Sequence, residues 1–196
     1  MYEVLKEKKL NNTLSSYWVY GKKPGAECKC AIIELPASRR SICVDGDWFF
    51  ISVPSCIFRI NYILYEGLYY YSTTYGFFKI EDKLFHIPFY NVFKNGYICV
   101  EDDFGNWREE IADVDSLIDK FLKHFWLNNS VYRYDETVVW RQYLENGSIL
   151  SNFENWRDKT KKEKDWIPSA DDLIATKISL NDFMEKEDLE ITRGFA

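Results

Sequence analysis

"CIFRINYILYEGLYYYS", residues 56–72, is the stretch on which the fold turns. Two runs of β-branched and aromatic side chains, Cys56–Tyr65 and Leu68–Ser72, flank the dipeptide Glu66-Gly67. Glycine enters the left-handed turn region at no steric cost, so a Gly-containing pair between two such runs reads as a tight hairpin. The same character extends toward the N-terminus in WFFISV (48–53), CKCAIIEL (28–35) and YWVY (17–20). Turn residues separate them: Pro54-Ser55, Asp45-Gly46-Asp47 and Lys23-Pro24-Gly25. An antiparallel meander is the simplest account.

Toward the C-terminus the period changes. Val114, Leu117, Ile118, Phe121, Leu122 and Phe125 recur at the spacing of one helical face. Asp113 or Asp115 supplies an N-cap. A second helix is expected over 135–146, stopped by Gly147. Ser151 with Glu154 has the capping-box pattern for a third, which runs into RDKTKKEKD before Ile167-Pro168 breaks it. Residues 169–186 read as helical again, and Tyr2–Leu10 as a short, thinly apolar helix. Strands followed by helices predict an α+β fold, an antiparallel meander with helices packed on one side. Residues 1–128 form the expected core. Residues 129–196 form a helical C-terminal region packed on it or extending it, within one domain.

Composition narrows the function classes. The chain has 196 residues, 46% of them apolar and 18% aromatic, and a net charge of -6. That length buries a real core without disulfides or metals. No basic cluster points to nucleic acid. The apolar runs fall short of the ~20 residues that span a bilayer, so no membrane partner is expected. The N-terminal MYEVLKEKKLNN has no apolar h-region, which predicts a cytoplasmic protein without a signal peptide. The five cysteines, an odd number, are then expected to be free thiols.

Catalytic signatures are sparse. The chain has two histidines, His86 and His124, no G-x-S-x-G elbow and no Gly-rich phosphate loop. Cys28-x-Cys30 has the wrong spacing for a zinc knuckle, and strand alternation places both thiols on one face, so no metal site is expected. His124 reads as a partly exposed helical residue. Cys99, which ends NVFKNGYICV but for one residue (91–100), reads by itself as a buried strand cysteine. Its neighbours are distinctive. Asn91 precedes it by eight residues and Gly96 by three, Trp107 follows it by eight, and the amphipathic helix comes next.

This spacing resembles the active-site segment of ubiquitin-conjugating enzymes. That family carries His-Pro-Asn-Ile/Val, three variable residues, Gly, one residue, Ile/Val, the catalytic Cys, and a Trp eight residues on. Asn91, Val92, Gly96, Ile98, Cys99, Val100 and Trp107 fall in register. LFHIPFYN (84–91) is similar to a bacterial branch, the prokaryotic ubiquitin-conjugating-like family D, whose members include protein B of the PRTRC system. The likeness spans about Val53 to Phe125. One departure is plain: the family's His-Pro is Phe89-Tyr90 here, and the nearest His and Pro are His86 and Pro88.

The resemblance implies the ubiquitin-conjugating fold and a carrier function in a bacterial conjugation system, for plasmid maintenance or phage defence. Cys99 would accept a ubiquitin-like protein from an adenylating enzyme as a thioester and pass it to an amine, normally a lysine of a protein acceptor. The carrier itself would need no cofactor; ATP is consumed by the adenylating enzyme. Asn91 matches the amide donor that stabilises the developing oxyanion. His86 is a base or a hydrogen-bonding brace. Asp102 and Asp103 could orient an incoming lysine or form a solvated acidic turn, and they oppose ionisation of the adjacent thiol. Trp107 and Pro88 are expected to pin the loops around Cys99 and Asn91. Two alternatives stay open: a ubiquitin-conjugating-fold binding module without turnover, and an aromatic-rich interaction domain with Cys99 inside a strand.

Overall fold

The Glu66-Gly67 turn forms with both residues in the left-handed region, at φ 52° and 79°. This is the backbone of a two-residue hairpin whose twist suits the flanking strands. In a computed structural model, which describes residues 1–10, 24–99, 111–127 and 139–185, the described residues form eight strands. They are β1 (Glu3–Lys9), β2 (Glu27–Leu35), β3 (Ser38–Val44), β4 (Asp47–Val53), β5 (Ser55–Tyr65), β6 (Leu68–Ile80), β7 (Lys83–Phe85) and β8 (Tyr97–Ile98). Among the described residues four α-helices follow: α1 (Val114–Leu127), α2 (Trp140–Glu145), α3 (Phe153–Lys162) and α4 (Leu180–Glu185). The protein is α+β with antiparallel sheets.

The main sheet runs β1-β2-β5-β6-β7, and β8 pairs with β6 off that path. β5 and β6 are in register from Tyr65↔Leu68 to Ser55↔Lys79, with one irregularity at Asn61/Tyr62. β3 and β4 form a separate hairpin. The expected helix over Tyr2–Leu10 is instead β1. Its backbone pairs with β2 from Glu3↔Glu34 to Lys9↔Lys29, and that open sheet edge outweighs a weak helical pattern. β3, SRRSICV, escaped the sequence reading because its outward positions are Arg and Ser. Only Ile42 and Val44 are buried on its inner side.

The two faces of the main sheet are covered differently. The first carries Ala31, Ile33, Phe58, Ile60, Tyr62 and Phe78. α1 lies on it, with Phe121 and Phe125 edge-on to Phe58 at 5.5 and 5.0 Å. Asp113 caps α1 by accepting the Ser116 N–H at 2.7 Å, so Asp113 rather than Asp115 is the cap. The buried stripe is the expected one with Trp126 added, while Val114 is only partly buried. The hairpin and α3 extend this layer. Trp156 Nε1 donates to the Ser52 carbonyl at 2.9 Å, and Ser52 N donates to Thr160 Oγ1 at 3.0 Å. Arg39 donates to the Thr160 and Lys164 carbonyls at the end of α3. The N-cap of α3 is Asn152, which accepts from Asn155 N, and not Ser151, which is buried in the preceding 3-10 turn. The second helix is described only from Trp140, and Gly147 ends it at φ 64°.

The second face carries Cys30, Ile32, Ile57, Ile63, Tyr75 and Phe77. It is closed by the C-terminal segment. The helix expected over 169–186 is a correction: only Ala170–Asp172, a 3-10 turn, and α4 are helical. Between them the chain runs extended along β7. His86 N donates to the Ile174 carbonyl and Thr176 N to the Leu84 carbonyl, and Ala175 bridges Phe85. The unpaired edge of β7 offers backbone partners that a helix would leave unused. α4 then lays Phe183 into the second face, and Lys8 donates to the Met184 and Glu185 carbonyls. The helices therefore do not all pack on one side. YWVY (17–20) lies outside the described residues.

Candidate functional site

The site segment leaves β7 and runs across the end of the sheet. His86, Ile87, Pro88 and Phe89 are all buried. Phe89 enters the first-face core, its ring 5.4 Å from Phe125 and 5.9 Å from Phe153. Tyr90 stands edge-on to Trp140 at 5.0 Å and to Phe153 at 5.3 Å. Phe89 and Tyr90, at the positions where the resembled motif has His-Pro, are thus ring anchors. They fix the approach to Asn91 by packing.

Asn91 is 1% exposed, and the chain reverses between it and Cys99. Cys99 N donates to the Asn91 carbonyl at 2.9 Å, and Asn91 Nδ2 donates to the Cys99 carbonyl at 3.3 Å. Between them Val92 bridges Ile98, Phe93 N donates to the Tyr97 carbonyl, and Asn95 Oδ1 accepts from Tyr97 N. Val139 N reaches the Val92 carbonyl at 3.0 Å. Asn91 and Cys99 are therefore directly paired neighbours. The bond from Asn91 Nδ2 ties the side-chain amide to the backbone of Cys99.

Gly96 makes the reversal possible. Its φ is 80°, and a Cβ placed there would sit 2.1 Å from Phe77 Cζ. A side chain is excluded both by the backbone conformation and by the ring beneath it. The Gly96 carbonyl accepts from Gly76 N at 2.9 Å, which fastens the turn to β6. Gly76 is itself crowded: a Cβ there would meet Phe58 at 2.5 Å and Ile98 at 2.9 Å.

Cys99 and Cys43 are partly exposed, in contrast to Cys28, Cys30 and Cys56, which are buried. Burial pushes the Cys56 thiol up to about 12. The Tyr97 hydroxyl is also raised to about 12, by burial first and then by the nearness of Cys99. Two phenols, Tyr97 and Tyr71, thus lie near Cys99 beside Asn91. Asp102, Asp103 and Trp107 lie outside the described residues.

His86 is buried beside Phe77. Its ring lies 6.1 Å from Phe77, and burial lowers its pKa to about 4. Its Nδ1 has no hydrogen-bond partner among the described residues. Its backbone is held by Ile174 and by the Tyr143 hydroxyl, which donates to the His86 carbonyl at 2.7 Å. A neutral imidazole in this setting is a packing group tied to the C-terminal segment. Pro88 is buried in the same stretch.

The sequence reading missed Gly76 and Phe77. A glycine inside the aromatic run of β6 was a usable signal, since it marks close backbone approach within a sheet. Phe77 carried none, because its partner Gly96 meets it only through the tertiary fold. An open groove of about 730 Å³ between α2 and α3, lined by Leu144, Ser148, Asn152 and Lys159, includes neither Asn91 nor Cys99. Among the described residues no group of three or more His, Cys, Asp or Glu could hold a metal ion. No described helix is long and apolar enough to cross a membrane. Comparison with protein-family models, curated proteins and solved structures finds no match.

Proposed function

We propose that the protein is a ubiquitin-conjugating-enzyme-like carrier of the ubiquitin-conjugating fold, serving a bacterial conjugation pathway with Cys99 as acyl acceptor. The observation that carries this reading is the Asn91–Cys99 pairing on a tight reversal, with Cys99, like Cys43, partly exposed while the other three cysteines are buried. In the first step Cys99 Sγ attacks the C-terminal carbonyl carbon of an adenylated ubiquitin-like protein. The S–C bond forms, the C–O bond to AMP breaks, and the thiol proton passes to solvent. In the second step a lysine amine attacks the thioester carbon. The C–N bond forms, the thiolate leaves, and the amine proton goes to solvent. Charge gathers on the carbonyl oxygen in between, and the side-chain amide of Asn91, paired with Cys99, is the donor type suited to meet it.

A second reading, a binding module of the same fold without turnover, draws on two observations. Asn91 already spends one amide donor on the Cys99 backbone, and His86 is buried against Phe77. One experiment separates them. The protein is mixed with an adenylating enzyme, its ubiquitin-like protein and ATP. A carrier gives a larger species that thiol reductant removes. Cys99→Ser loses it or gives a reductant-resistant ester, and Asn91→Ala slows discharge by about 10²–10³-fold with charging less affected. No reductant-sensitive species with active partners supports the binding module.

A further inference from the structure

We infer that the C-terminal segment, through Phe183, positions the Cys99 loop by wedging Phe77 beneath Gly96. This inference rests on the reading of Cys99 as the reactive residue. Phe77 is fully buried and touches three distinct parts of the molecule. Phe183 of α4 meets its ring edge-on at 5.4 Å. The His86 ring lies at 6.1 Å. Gly96 lies over its tip, with no room for even a methyl group. The ring has no slack toward Gly96, and Phe183 is the ring that the C-terminal segment packs edge-on against it. Phe183 is carried by a segment that enters along β7 through Ile174, Ala175 and Thr176 and leaves against β1 through Lys8.

The loop depends on that ring in turn. Gly96 is the pivot of the reversal that brings the Cys99 N–H to the Asn91 carbonyl. It is held from above by its bond to the Phe93 carbonyl and from the side by Gly76 N. Removing the Phe183 ring opens space beside Phe77, and side chains around such a space relax partly into it. The support under Gly96 is then lost while the first-face core, which packs Phe89 and α1, is untouched. Phe183 and Phe77 are positioning residues: neither meets the acyl group.

The cysteines report the coupling directly. Cys30 lies on the second face with Phe183, and Cys56 lies in the first-face core. Iodoacetamide labelling of the intact protein, followed across pH and read by mass spectrometry at each cysteine, separates local from global opening. Phe183→Ala is expected to raise the Cys99 rate several-fold and to change its pH profile, with Cys56 unchanged. Phe183→Met, which refills the space, restores both. Ile42→Val, a core change on the other face, leaves the Cys99 rate at its original value. If Phe183→Ala does not fold, Phe183→Val gives the same comparison at smaller amplitude. A Cys99 rate that stays at the original value, or rises only in step with Cys56, overturns the inference. Failure of the carrier reading shows up separately, as an unmodified protein that forms no thioester although its Cys99 labelling still responds to Phe183.

Discussion

The two faces of the main sheet solve the same burial problem by different means. The first is covered by a 14-residue amphipathic helix that brings its own buried stripe. It is then sealed by an aromatic layer in which Phe89, Phe125, Phe153 and Trp156 meet ring to ring. The second is covered by an extended strap and the six-residue helix α4. It also holds polar groups: Arg59 is 1% exposed and donates from Nε to Asn61 Oδ1 at 3.2 Å. A helix-covered face is secured by side chains alone. A strap-covered face depends on backbone pairing at β7 and on a few inserted rings, so its cover is the easier one to loosen.

That contrast can be broken from either side. The largest effect is expected on the first face. Phe125→Ala removes a ring that touches Phe58, Phe89 and Trp126, and should cost about 3–5 kcal/mol of stability, read as a lower urea midpoint. Labelling of Cys30 below the transition should not change, because that thiol belongs to the other face.

Next comes acid sensitivity at the edge of the strap. His86 titrates near 4 in the folded protein and near 6.5 when exposed. The unfolded chain therefore binds a proton that the folded chain does not throughout that window, and stability falls as pH drops from about 6.5 to about 4. The full effect is about 3 kcal/mol, flat above and below the window. His86→Phe should flatten the pH dependence of the urea midpoint over that range. An unchanged slope would show that His86 is not buried as a neutral ring.

The smallest effect is expected where the hairpin meets α3. Arg39→Ala removes donors to the carbonyls at the end of that helix and should cost about 1 kcal/mol. Thermal unfolding should detect it, and Cys99 labelling should be unchanged.

Much of the fold was legible because its signals are local. Asp45-Gly46 and Glu66-Gly67 announce hairpins through backbone chemistry that any context respects, and the α1 stripe repeats at the helical period. The candidate site was legible as a spacing: Asn91, Gly96 and Cys99 are close in sequence, and a short reversal brings them together. What escaped depended on distant partners. β1 and the strap read as helices because their own residues favour strand weakly, and only an open edge at β2 or β7 makes the extended form the better one. His86 read as a base or brace because sequence distance says nothing about which face of the sheet a ring joins.

The amino-acid sequence alone determined the turns, the amphipathic helix, the strand-then-helix order and the Asn91-Gly96-Cys99 spacing, since each follows from backbone preference or periodicity within a dozen residues. Only the tertiary structure decided that Phe89 and Tyr90 anchor the loop by their rings, that the C-terminal segment closes the second face, and that Phe77 fills the space a side chain at Gly96 would need. Those outcomes depend on which surfaces remain unpaired once the sheet has formed, and close packing admits one solution that no single stretch of the chain contains.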